Sequence, residues 1–342
     1  MQSLDPRQRP PEAIRAVYKM YHKMKPADLD TNPDILDLKP DSQTSLPEKV
    51  HIVNELQTQH LNNAFRTFAG DAQAAQAELQ SSASPISVYE HDDMPGLHIM
   101  PSLLPPKVQS ILLSRLLHRH LSNPTHLTNI HTHYNLSYPP SSPSTSSSSS
   151  FFSHSPSSSS IVATPLDPTI HKPLTVSQLL NKKLRWTTLG GQYDWTAKRY
   201  PDSAPPDFPT DIKTLLEDIF PSTKAEAAIV NLYSPGDTLS VHRDVAESSS
   251  HGLVSISLGC DAIFVIGCED RVLALRLPSG GAVYMSGEAR FAWHGVPQIV
   301  RGTCPDYLVD WPGGDEGETA FEDWRAWMAG KRVNLNVRQM WG

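Results

Sequence analysis

Six polar residues in the last third of the chain have the types and spacing to do chemistry. They are His242 and Asp244 as H-x-D, His294 about fifty residues on, and Arg332, Asn334 and Arg338 within RVNLNVR. Two imidazoles and one carboxylate are the ligand set of a non-haem ferrous centre, which leaves three coordination positions open. An H-x-D pair alone arises often by chance, and a lone His is more often packed or hydrogen-bonded than a ligand. The weight comes from the combination with the arginine-bearing segment downstream. A guanidinium suits bidentate carboxylate binding, so that segment supplies what a dicarboxylate co-substrate needs. Together these residues suggest an oxygenase that fills the open positions with 2-oxoglutarate and O₂.

Such residues need stiff elements to hold them. In a strand, alternate side chains share a face. His242 and Asp244 then point the same way with Arg243 opposite, and His294 is expected from the far side of a barrel. RVNLNVR puts Arg332, Asn334, Asn336 and Arg338 on one face and Val333, Leu335 and Val337 on the other. The apolar side is too good for an exposed edge, so the polar side needs a cavity. The same alternation in AAIVNLY aims Asn231 and Tyr233 at that cavity. A 2-oxoglutarate bridging iron and these donors would satisfy all of them.

From residue 184 onward, about eight short strands with turn signals follow a helix-rich first part. The pattern predicts an α+β fold: a double-stranded β-helix, or jelly-roll, core with supporting helices. Arg15 to Lys25 reads as an amphipathic helix, residues 50–80 as helix-rich, and KVQSILLSRLLHRHL has apolar residues at helical spacing. Residues 1–90 are therefore expected to form an N-terminal helical extension, and 91–342 the catalytic domain. The stretch SYPPSSPSTSSSSSFFSHSPSSSS at 137–160 reads as a flexible insertion. His131 and His133, just before it, are given no metal role.

Bulk properties bound the rest. With 39% hydrophobic residues among 342, one sizeable core is affordable despite 30 prolines. A net charge of -7 argues against non-specific coating of nucleic acid but is compatible with a local basic face. Cys260, Cys268 and Cys304 show no CxxC, which argues against a disulfide framework or zinc site. No stretch approaches the ~18–20 apolar residues of a membrane span, so no membrane partner is expected. Asp5 and Glu12 count against a mitochondrial presequence. A monomer in the nucleus or cytoplasm is the expectation, with the mitochondrion as the alternative.

NLYSPGD, HRD, SLGCDAIF, VYMSGEARFAWHGV and RVNLNVR, in this order, resemble the AlkB family of Fe(II)/2-oxoglutarate dioxygenases. VNLNVRQM, LRWTTLGGQYDWTAKRY and RAVYKMYHKMKPADLD resemble its eukaryotic AlkB homologue 1 branch. The likeness covers most of the chain outside the serine tract and residues around 50–90. It implies that His242, Asp244 and His294 bind iron. Arg332 would pair with the distal carboxylate of 2-oxoglutarate, helped by Tyr233 and Asn334. Arg338 would lie near the keto-acid end and Asp244, with Asn231 adding a hydrogen bond. The implied reaction hydroxylates an N-methyl group on a base, and the product decays to formaldehyde and the unmodified base. Repair enzymes of the family often carry an acid two places after the iron-binding Asp. Here that position is Ala246, with Glu247 next, which puts direct alkylated-base repair in doubt.

Lys182, Lys183 and Arg185 are interleaved with Trp186, Tyr193 and Trp195. Cations can take phosphates while aromatic faces stack on a flipped or unpaired base. The expected partner is nucleic acid: tRNA carrying N1-methyladenine, with DNA N6-methyladenine as the near alternative. A protein hydroxylase or histone demethylase with the same metal core is a rival. A catalytically silent binding module is another, which the intact triad and both arginines disfavour.

Overall fold

The structure, a computed structural model, describes residues 4–5, 7–38, 45–70, 85–140, 150–194, 200–201, 204–313 and 319–341. Its strands are runs of branched and aromatic residues cut by Gly, Pro and Ser turns. In chain order they are β1 (Ile35–Leu36), β2 (Val50–Leu56), β3 (Ile86–His91), β4 (Leu97–Met100), β5 (Tyr134–Leu136), β6 (Ile161–Pro165), β7 (Leu174–Thr175) and β8 (Trp186–Gly190). Then come β9 (Ala227–Tyr233), β10 (Leu239–His242), β11 (Leu253–Gly259), β12 (Ala262–Cys268), β13 (Arg271–Leu277), β14 (Ala282–Met285), β15 (Trp293–Ile299) and β16 (Arg332–Arg338).

One large sheet has the order β2-β3-β4-β14-β11-β16-β9-β8, the other β1-β13-β12-β15-β10, and β5 to β7 form a small third sheet. From β9 onward the chain alternates between the two large sheets. β9, β11, β14 and β16 fall in the first and β10, β12, β13 and β15 in the second, which is the strand allocation of a jelly roll. All pairings are antiparallel except β1 with β13. β12 reads as a near-continuous apolar run because both of its faces are covered. Gly259 turns the corner between them at φ +90°; a Cβ there would lie 2.5 Å from the Lys331 carbonyl oxygen. One connected core takes Ile256 and Leu335 from the first sheet and Phe264 and Val296 from the second.

The longer helices are α1 (Glu12–Lys23), α2 (Pro26–Thr31), α3 (Thr58–Ala69), α4 (Pro106–Ser114) and α5 (Thr210–Ile219). None among the described residues is long and apolar enough to cross a membrane. Two expectations need correction. Val50–Leu56 is a strand, β2, paired with β3, and helix begins only at Thr58. From His51 to Glu55 the β2 residues are exposed, so no two-residue alternation marks it in the sequence. Nor do residues 1–90 stand apart as a helical extension. Ile14 of α1 is completely buried on the second sheet, where it packs against Gly267, and Gln298 Nε2 donates to the Met24 carbonyl at 2.6 Å.

The serine tract also departs from its reading. Residues 141–149 lie outside the described residues, but Phe151 and Phe152 are buried. The Phe152 ring meets Trp311, Trp324 and Trp327 edge-on at 5.2, 5.4 and 5.1 Å between centroids. Two adjacent aromatics bury enough surface to anchor this end of the tract, a contribution the serine count hides.

Candidate active site

β10 and β15 are neighbours, and His242 and His294 are register partners across them, with ring centroids 4.5 Å apart. His294 therefore comes from the adjacent strand, not from across the barrel. Asp244 lies just beyond the end of β10, so strand alternation does not place it. Its carboxylate converges nonetheless: Oδ1 is 3.9 Å from His242 Nε2 and Oδ2 is 3.7 Å from His294 Nε2. One ligand atom from each of the three residues lies within 4.8 Å of the others.

Hydrogen bonding prepares both rings. His242 Nδ1 donates to the Ser240 carbonyl at 2.9 Å, and His294 Nδ1 to the Ala292 carbonyl at 3.0 Å. Each Nε2 then keeps its lone pair, as a metal ligand must. Burial, reinforced by His242, lowers the pKa of His294 to about 4, so this ring is neutral near pH 7. Burial opposes ionisation of Asp244. Arg338, then the two histidines and Arg290, outweigh it and hold the carboxyl well below its usual range. Two imidazoles with Nε2 turned to one point and an ionised carboxylate fit a ferrous ion with open positions.

A polar stripe runs across the first sheet beside this cluster. Arg332 pairs in register with Tyr233, and Asn334 with Asn231 on one side and Ser257 on the other. Arg332 is 1% exposed and donates Nη2 to Ser257 Oγ at 2.8 Å. Its Nε and Nη1, and the Tyr233 hydroxyl, have no hydrogen-bond partner among the described residues. Leaving such donors unmade in a packed interior is costly, and an incoming carboxylate supplies the missing acceptors. The residues present therefore fit the distal end of 2-oxoglutarate. Asn334 is less available than expected, because its Nδ2 is already held by Ser255 Oγ at 2.8 Å and the Ile256 carbonyl at 3.0 Å.

At the other end of β16, Arg338 donates Nη2 to Asp244 Oδ2 at 3.1 Å and Nη1 to Glu247 Oε1 at 3.0 Å. Glu247 also accepts from Arg290, a buried residue that the sequence reading did not single out. A cavity of about 380 Å³ opens beside the triad, lined among others by Tyr193, Asn231, His242, Asp244, Asn336 and Arg338.

The expected nucleic-acid residues sit on several elements. Tyr193 lines the cavity. Trp186 pairs in register with Asn231 on β9. Arg185 forms an ion pair with Asp237. Lys182 and Lys183 are exposed at the end of the short π-helix Leu179–Lys183 before β8, and Trp195 lies outside the described residues.

Residues 140–338 match the 2OG-Fe(II) oxygenase superfamily. The chain belongs to this superfamily. It is 44% identical to the N6-methyladenosine RNA demethylase ALKB1 of Pyricularia oryzae over 361 aligned residues, covering 98% of each protein. It is 51% identical to the N6-methyladenosine RNA demethylase ALKBH of Cryphonectria parasitica, over 62% of this chain and 99% of that one. To the tRNA demethylase abh1 of Schizosaccharomyces pombe it is 40% identical, over 74% and 82%. It is thus an AlkB-family, ALKBH1-like enzyme. Membership in the superfamily implies Fe(II), 2-oxoglutarate and O₂.

Proposed function

We propose that this enzyme removes N-methyl groups from adenine in RNA, with iron held by His242, Asp244 and His294 and 2-oxoglutarate anchored at Arg332. The observations that carry this reading are a convergent His-Asp-His cluster, whose Asp244 is held by Arg338 at one end of β16, and a buried arginine at the other end of that strand whose Nε and Nη1 lack acceptors. The substrate class is supported by the relatives of 44% and 51% identity, both named for N6-methyladenosine in RNA. N1-methyladenine in tRNA is the second candidate, supported by the relative named as a tRNA demethylase.

When bound, the iron and 2-oxoglutarate together supply O₂-dependent oxidation of the methyl carbon. The chain's own residues orient and exclude. The Ser240 and Ala292 carbonyls fix the two rings. Arg338 aims the Asp244 carboxylate. Arg332 and Tyr233 would hold the co-substrate's far end, and Tyr193 would bound the space that receives the base. The hydroxylated methyl group then leaves as formaldehyde, restoring the amine.

The test is nucleoside mass spectrometry on RNA carrying N6-methyladenosine, tRNA carrying N1-methyladenine, and DNA carrying N6-methyladenine. Each is incubated with purified protein, Fe(II), 2-oxoglutarate and air. The expected result is loss of N6-methyladenosine from RNA with matching formaldehyde, and none without 2-oxoglutarate. Inert RNA alongside demethylation of a methylated histone peptide would overturn the proposal.

A further inference from the structure

Glu247 is not a surface acid. Its side chain is fully buried, with Oε1 accepting from Arg338 Nη1 at 3.0 Å and Oε2 from Arg290 Nη2 at 3.2 Å. Arg338 goes on to Asp244 Oδ2 at 3.1 Å. Arg290 donates Nη1 to the Asp244 carbonyl at 2.9 Å and Nε to the His251 carbonyl at 2.8 Å, so it clamps the 244–251 segment at both ends. Two carboxylates and two guanidiniums alternate in one buried chain of zero formal charge. Because both Glu247 oxygens are occupied, it does not replace the acid missing at Ala246 as a contact to a base.

We infer that Glu247 and Arg290 are positioning residues for the metal centre, through which the protein tunes how firmly Asp244 binds a divalent ion. The inference rests on His242, Asp244 and His294 being the metal ligands. Arg338 is attracted to two carboxylates, so its charge is shared and Asp244 is not neutralised alone. Without the Glu247 charge, Arg338 leans on Asp244 only, and the site gains one net positive charge. A divalent cation then meets both a weaker ligand and a less favourable field.

The test is calorimetric titration of Mn(II) into the metal-free full-length protein, with thermal unfolding measured in parallel. Wild type is expected to bind, and Asp244→Ala to lose binding. Failure of either result would refute the ligand assignment itself, separately from this inference. Glu247→Gln keeps the size and the acceptor but removes the charge; its Mn(II) affinity is expected to fall roughly tenfold. Arg290→Lys keeps the charge but cannot make all three contacts, and a fall of about threefold is expected. A folded Glu247→Gln variant with wild-type affinity would overturn the inference. If that variant does not fold, Arg290→Lys decides, and unchanged affinity there overturns it. A bracket of purely structural importance would lower the unfolding temperature and leave the affinity unmoved.

Discussion

Arg332 and Arg338 lie six positions apart on one buried face of β16, yet the protein treats them oppositely. Arg338 has two carboxylates of its own, Asp244 and Glu247. Burial works against its charge, but Asp244, Tyr200 and Glu247 more than compensate and raise its pKa. Arg332 has one serine hydroxyl and two nitrogens with no partner, and burial pushes its pKa down. Arg338, ion-paired to two carboxylates although its Nε has no hydrogen-bond partner, holds other residues in place. Arg332, with two unpartnered nitrogens at the same depth, is the one we propose to receive an anion from outside.

The largest expected effect comes where the satisfied arginine meets the metal cluster. Asp244→Ala should reduce formaldehyde release to background while circular dichroism shows an intact fold; normal turnover would end the ligand assignment. Next is a stability contrast in the absence of co-substrate. Arg338→Met leaves Asp244 without its guanidinium and Glu247 with Arg290 alone, and should cost about 3–5 kcal/mol in denaturant unfolding. Arg332→Met removes two unpaired nitrogens along with one bond to Ser257, and should lie within about 1 kcal/mol of wild type. Equal losses would erase the distinction between the two arginines. Function should show the reverse emphasis: Arg332→Met should raise the 2-oxoglutarate concentration needed for half-maximal rate about 10–100-fold.

A smaller effect sharpens the picture from outside the site. His118 is partly buried and stacks on Phe321, at 4.3 Å between ring centroids, and desolvation lowers its pKa to about 4. The folded state keeps it neutral, whereas the unfolded chain protonates it near 6.5. Its contribution is therefore fully present above that value and is lost as pH falls from about 6.5 towards 4, at up to ~1.4 kcal/mol per pH unit. His118→Phe should flatten the acid side of the stability profile measured by denaturant unfolding; an unchanged slope would show that this ring takes up no proton on unfolding.

Much of this was legible in the sequence, and the reasons are local. Alternation in RVNLNVR and AAIVNLY sorted polar from apolar side chains, and the structure keeps that sorting. The jelly-roll strands announced themselves through branched residues between glycine and proline turns. What escaped was long-range. The partners of Glu247 are 43 and 91 residues away, and no spacing rule connects them. β2 escaped because one edge strand with exposed side chains has no periodic signature. Phe151 and Phe152 escaped because composition averages over a window that two residues cannot dominate. Lys182, Lys183 and Arg185 are close in sequence, and nothing in that closeness tells that Arg185 pairs with Asp237.

The central claim is that the two unpaired nitrogens of Arg332 await a dicarboxylate beside a metal. Calorimetric titration of 2-oxoglutarate into the Mn(II)-loaded protein under nitrogen tests it directly. Binding should appear in wild type, require the metal, and weaken sharply in Arg332→Met. Undiminished binding by Arg332→Met, or binding that ignores the metal, would contradict the account.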